Sequence, residues 1–139
     1  MRTLVDTNVL SEARHPKGDP RVRLSVQAIP EADLFLSVVT LGELVRGVAK
    51  LPDGKRRREL EDWVRDIEEH HADRILPIDM RVAHVWGELT ASVPRTLPVA
   101  DGLIAATALR YDLALMTRNT KDFTDTGVRL IDPCTEEQL

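Results

Sequence analysis

Four acidic residues sit at positions where their carboxylates could converge. Asp6 directly follows the short β-prone run Arg2-Thr3-Leu4-Val5, and Glu43 lies just past the apolar run Leu34 to Val39. Asp101 opens a helix-forming stretch that begins at Val99, and Asp122 follows the apolar run Leu113-Ala114-Leu115-Met116. Carboxylates unsupported by a Cys or His cluster suit a hard divalent cation, Mg²⁺ or Mn²⁺. The single Cys134 excludes an internal disulfide and a multi-cysteine zinc site. Of the histidines, His70 and His71 are adjacent and diverge on a helix, while His15 and His84 have no partner at ligand spacing. The chain has no glycine-rich phosphate loop and no Gly-x-Ser-x-Gly elbow, so no protein nucleophile announces itself.

Three of the acids also have plainer uses. Asp6-Thr7-Asn8 are turn and N-cap types before a short helix over Val9 to Ala13. Thr40-Leu41-Gly42-Glu43 reads as a capping box, with Glu43 the reciprocal partner of Thr40. Asp122 suits a turn. Asp101 resists such a reading, because it shares a helical face with Ile104, Ala105 and Ala108. A carboxylate in register with an apolar stripe is costly unless it is paired, hydrogen-bonded or coordinating a cation. The helix macrodipole offsets only about 0.3–1 kcal/mol of that cost.

The elements that must position these acids alternate between strand and helix patterns. Strands are predicted over Arg2 to Val5, Leu34 to Val39, Ile75 to Ile78, Leu113 to Met116 and Val128 to Ile131. They are apolar almost throughout, as strands covered on both faces are. Helical spacing recurs after Asp19-Pro20, from Thr40, in a charged stretch with Leu60, Trp63, Val64, Ile67 and His71 on one stripe, through Val82 to Val93, and over Val99 to Tyr111. The run Lys55-Arg56-Arg57-Arg58 reads as the solvated start of a helix, with an RNA-facing patch as the alternative. This pattern predicts an α/β fold with a mainly parallel central sheet flanked by helices, in one domain over 1–139.

Composition agrees with that reading. The chain has 139 residues, 42% apolar and 30% charged, which suits a soluble domain with a real core. No apolar run approaches a membrane span and no signal peptide opens the chain, so the expected setting is cytoplasmic. Nineteen basic against 23 acidic residues give a net charge of −4. That imbalance equals the four candidate ligands, so a nucleic-acid partner is not excluded by charge.

The stretches Leu4 to Glu12, Thr40 to Gly47, Pro98 to Ala108 and Thr117 to Phe123 resemble, in order, the four motifs of PIN-domain ribonucleases. More narrowly, they are similar to the VapC toxins of bacterial toxin–antitoxin pairs, including the FitB-like branch. The resemblance covers nearly the whole chain and implies a PIN-like three-layer fold. It implies Asp6, Glu43, Asp101 and Asp122 as the catalytic acids, with Asp6 and Asp101 as direct metal ligands. Thr7, Asn8, Thr117 and Asn119 match the family's supporting polar positions. The activity implied is Mg²⁺-dependent hydrolysis of RNA phosphodiesters, with Mn²⁺ as a substitute and a structured RNA such as tRNA as substrate. A VapB-like antitoxin that blocks the site and a homodimer are the implied partners.

Arg46 and Lys50 share a helical face with Glu43, while Arg118 and Lys121 flank Asp122. These four are expected to grip RNA phosphates that the acids alone would repel. Three rival readings fit less well. A haloacid-dehalogenase-type phosphatase wants Asp-x-Asp after its first strand, and the second position here is Asn8. A receiver-like switch domain wants paired acids at the first strand end, where only Asp6 stands. A catalytically silent PIN-like binding module is disfavoured by four intact acids.

Overall fold

Thr3–Val5 forms β1, and all three of its residues are buried. Around it, β2 (Leu34–Ser37), β3 (Ile75–Leu76), β4 (Ala114–Met116) and β5 (Leu130–Ile131) complete a five-stranded sheet of order β3-β2-β1-β4-β5. Every strand pairing is parallel, with Leu4 facing Phe35 on one side and Leu115 on the other. This computed structural model describes residues 1–135; the last four residues of the domain expected over 1–139 lie outside the described residues.

Among the described residues six α-helices connect the strands: α1 (Thr7–Arg14), α2 (Pro20–Gln27), α3 (Val38–Ala49), α4 (Lys55–His70), α5 (Met80–Ser92) and α6 (Val99–Arg110). Successive residues of a strand point to opposite faces, so each strand feeds two cores. Leu4, Leu115 and Leu130 pack with Leu89, Val93, Ile104, Ala105 and Ala108 of α5 and α6. Val5, Leu34, Leu36 and Met116 pack with Val9, Val22, Leu44, Val48, Val64 and Ile67 of α1 to α4. With helices on both faces, the central strands are covered on both sides, which explains strands without polar alternation.

The chain winds outward from β1 through β2 to β3, then returns to place β4 and β5 on the other side of β1. That reversal puts a topological switch point between β1 and β4. In open parallel sheets, ligands bind in the crevice outside the carboxyl ends of strands at such a point.

Two sequence expectations are corrected. The run from Leu34 stays extended only to Ser37, and Val38 and Val39 form the first turn of α3. Ser37 is the cap, its buried Oγ accepting from the Val39 amide at 3.0 Å. The capping box at Thr40 therefore does not form, since Thr40 already lies inside the helix. The helix penalty of two β-branched valines is a few tenths of a kcal/mol each, small enough for a cap and packing to override. Likewise α1 starts at Thr7 rather than Val9, because Asp6 caps it.

Other boundaries fall within two residues of expectation. Lys55 pairs with Glu59, and Arg57 with Asp53 and Glu61, as in a solvated helix start. Among the described residues no helix is long and apolar enough to cross a membrane.

Candidate active site

Asp6 is 6% exposed, at the end of the central strand. Its Oδ1 accepts from the Thr7 amide at 2.8 Å, and its Oδ2 accepts from the Thr117 hydroxyl at 2.8 Å. Thr117 follows β4 directly, so this bond spans the switch point. The same Thr117 oxygen accepts from the Asn119 amide at 3.1 Å, which fixes the direction of its proton toward Asp6. Burial pushes the Asp6 carboxyl up; the bonds from Thr117 and Thr7 oppose this, and the Glu43 charge adds to it.

Glu43 extends from the second turn of α3, and the Thr7 hydroxyl lies 2.6 Å from its Oε1. Thr7 Oγ1 is also 3.1 Å from the hydroxyl of Thr40, which is 1% exposed. A hydroxyl has one proton, and a carboxylate only accepts. Thr7 therefore donates to Glu43, and Thr40 donates to Thr7. The box expected between Thr40 and Glu43 is replaced by a relay through a residue of another helix.

Asp101 occupies the first turn of α6 and is partly buried. Its carboxylate makes no hydrogen bond among the described residues. Burial raises its pKa, followed by the charges of Asp6, Asp122 and Glu43, and Arg95 opposes them. Asp101 thus feels the charges of the other three acids. Gly102 beside Asp101 is a packing requirement, since a Cβ there would stand 2.9 Å from Nε1 of Trp86. Asp122 ends a 3₁₀ turn over Thr120–Asp122, its amide donating to the Asn119 carbonyl at 3.0 Å. Its carboxylate also has no hydrogen bond among the described residues.

The other expected positions are less uniform. Thr7 and Thr117 bond the acids directly, whereas Asn119 contributes its main-chain amide and its side chain is exposed. Asn8 is exposed on α1 and makes no side-chain hydrogen bond among the described residues. Arg46, Lys50 and Lys121 are exposed and have no ion pair among the described residues. Arg118 differs: its Nη1 is 2.7 Å from Glu12 Oε1. Sequence reasoning missed Arg95, a lone arginine in the Pro-bracketed connection before α6, and gave Thr40 only a capping role.

The donor set fits a hard cation. Two carboxylates carry no hydrogen bond, and those of Asp6 and Glu43 retain lone pairs beyond the bonds they accept. Among the described residues no group of three or more Asp, Glu, His or Cys side chains is placed to hold a metal ion by itself. An open set suits Mg²⁺, which keeps several waters and takes one or two carboxylates plus substrate phosphate. A cleft of about 250 Å³ adjoins Thr7 and Glu43 and continues past Arg14, Arg56 and Trp63.

Known proteins show the same architecture. The PIN domain family model matches residues 3–128. Toxin FitB of Neisseria gonorrhoeae is 35% identical over 134 residues, covering 94% of this chain and 96% of that protein. VapC ribonuclease Y4jK of Sinorhizobium fredii is 33% identical over 134 residues, with the same coverage of each. The solved structure of FitAB bound to an IR36 DNA fragment superposes with a TM-score of 0.90 at 33% identity, covering 97% of each chain. The chain belongs to the PIN-domain family. Within that family it belongs with the FitB and VapC toxins.

Proposed function

We propose that the protein is a Mg²⁺-dependent ribonuclease, the toxin of a toxin–antitoxin pair, acting on a structured RNA such as tRNA. The observation that supports this most is the Asp6–Thr117 bond at the β1/β4 switch point, together with the charges of Asp6, Asp122 and Glu43 felt at Asp101. Like charges that influence one another oppose folding unless a bound cation or protonation relieves them. Asp6 and Asp101 are the residues to hold the ion, Asp6 because two donors fix its orientation and Asp101 because its oxygens are free.

A bound Mg²⁺ or Mn²⁺ would neutralise phosphate charge and make water nucleophilic near neutral pH. The chain's own residues do the positioning. Thr7 and Thr117 hold Asp6 at one rotamer, and the Thr40–Thr7 relay does the same for Glu43. Glu43 is then an oriented acceptor for a proton of the attacking water. Arg46, Lys50 and Lys121 are free to take RNA phosphates beside the acids, whereas Arg118 must first leave Glu12.

The FitAB complex among its structural relatives supports an antitoxin of the VapB kind as partner; a homodimer as the toxin's unit and a cytoplasmic setting complete the reading as part of the family resemblance. The purified chain should cut a tRNA pool with Mg²⁺ or Mn²⁺ and stop on addition of chelator. Co-expression with a cognate antitoxin should suppress that cleavage. Cleavage that persists in chelator would remove the metal from the mechanism, and a chain that cuts no RNA with either ion would remove the ribonuclease.

A further inference from the structure

Arg95 belongs to none of the four acidic motifs, yet its guanidinium grips the segment that carries the last of them. It lies in the connection from α5 to α6. Its Nε donates to Asp125 Oδ2 at 2.9 Å and its Nη2 to Asp125 Oδ1 at 2.8 Å. The same Nη2 also donates to the main-chain carbonyl of Asp122. A two-pronged pair of this kind fixes direction as well as distance.

The second contact gives the pair its meaning. Asp122 sits in an irregular segment between β4 and β5, where no strand neighbour holds the backbone. Phe123, 1% exposed, anchors one side of that segment in the core. The turn bonds from Asp122 to Asn119 and from Phe123 to Thr120 are local and set only its internal shape. Arg95 supplies a tie to a different element, and that element enters α6, where Asp101 opens the first turn. Arg95 is also the cation whose charge opposes Asp6, Asp122 and Glu43 at Asp101. As a stabiliser alone the pair is unpromising, since the Arg95 and Asp125 side chains are 38% and 31% exposed.

We propose that Arg95 is a positioning residue: by gripping Asp125 and the Asp122 carbonyl it holds the 120–126 segment against the start of α6 and so sets Asp122 opposite Asp101. The fork of the guanidinium does this, and a point charge does not, because three bonds to two residues need its planar donors. The inference rests on reading the four acids as one metal-using site.

The test compares wild type with Arg95→Lys, Arg95→Gln and Asp125→Asn. Amide exchange in metal-free protein should quicken at least tenfold over residues 120–126 in both Arg95 variants, with β1 and the body of α6 unchanged. Mn²⁺ affinity of the protein alone should fall several-fold. RNA cleavage should lose at least tenfold in kcat with KM within twofold. Asp125→Asn should show the same pattern more weakly, since the carbonyl contact remains.

Unchanged exchange and Mn²⁺ affinity would reduce Arg95 to a surface ion pair. A raised KM at constant kcat would make it a substrate contact instead, and full retention by Arg95→Lys would make its charge the cause. Each of these overturns the proposal. If wild type cuts no RNA, the ribonuclease reading fails while the exchange and Mn²⁺ measurements still decide the role of Arg95.

Discussion

The hydroxyl of Thr117 donates to Asp6 at 2.8 Å across 111 residues of sequence, joining the ends of β4 and β1 inside the protein. A hydrogen bond to a charged group is worth about 1.5–3 kcal/mol, and more is lost when a buried acceptor is left without its donor. Thr117→Val keeps the shape and removes the donor. It should lower stability by about that amount and cut RNA cleavage, because Asp6 loses its fixed rotamer. Thr117→Ser should restore both. Thermal melts and cleavage rates of the two variants check this, and equal behaviour of Val and Ser would make the bond incidental.

The metal-free site should weaken the fold in a pH-dependent way. The Asp6 and Asp101 carboxyls lie above the ordinary aspartate value near 3.8, Asp6 mainly through burial and Asp101 through burial and its acidic neighbours. Between 3.8 and their raised values the folded protein binds more protons than the unfolded chain. Stability from these two groups therefore falls as pH rises through that window and recovers as pH falls through it. Asp79 and Asp125 act oppositely, since the Val82 amide and Arg95 hold them low. Their stabilisation is present above the ordinary aspartate value and is lost as pH drops below it.

Asp101→Asn removes one repelling charge. In chelator at pH 7 it should melt above wild type, and the gap should shrink as pH falls through the raised pKa. Mg²⁺ at a tenfold excess over its dissociation constant should add about 1.4 kcal/mol to wild type and little to the variant. A variant that melts lower in chelator and keeps the full Mg²⁺ shift would make Asp101 a structural residue outside the site.

The cations divide by their pairing. Replacing Arg46, Lys50 and Lys121 by Ala should weaken RNA binding, and each lost phosphate contact should reduce the salt slope by about 0.7 on single-stranded RNA. Arg118→Ala should change the slope less, because binding must first break the 2.7 Å pair with Glu12. Binding isotherms across a salt series decide it; an unchanged slope in the triple variant would leave these residues as surface charge.

Much of this was legible in the sequence where local pattern and tertiary packing agree. Apolar runs at Leu4, Leu36 and Leu115 became strands of a parallel sheet, so β1, β2 and β4 end at one edge of it. The failures share a cause. Ser37 outcompeted Thr40 as a cap because packing placed Val38 and Val39 in a helix despite their strand preference. Arg95 gave no signal, since a lone arginine in a loop has no periodicity and its partners lie 27 and 30 residues away. Arg118 looked free because Glu12, its partner, is 106 residues distant.

The central claim is that Asp6, Glu43, Asp101 and Asp122 act together on RNA. Single-turnover cleavage of a labelled tRNA in saturating Mg²⁺ tests it most directly, comparing wild type with Asp6→Asn and Asp101→Asn after confirming that each is folded. The account predicts a rate at least a hundredfold lower in either variant, equivalent to about 2.7 kcal/mol of lost transition-state stabilisation. Wild-type rates in both folded variants would contradict it.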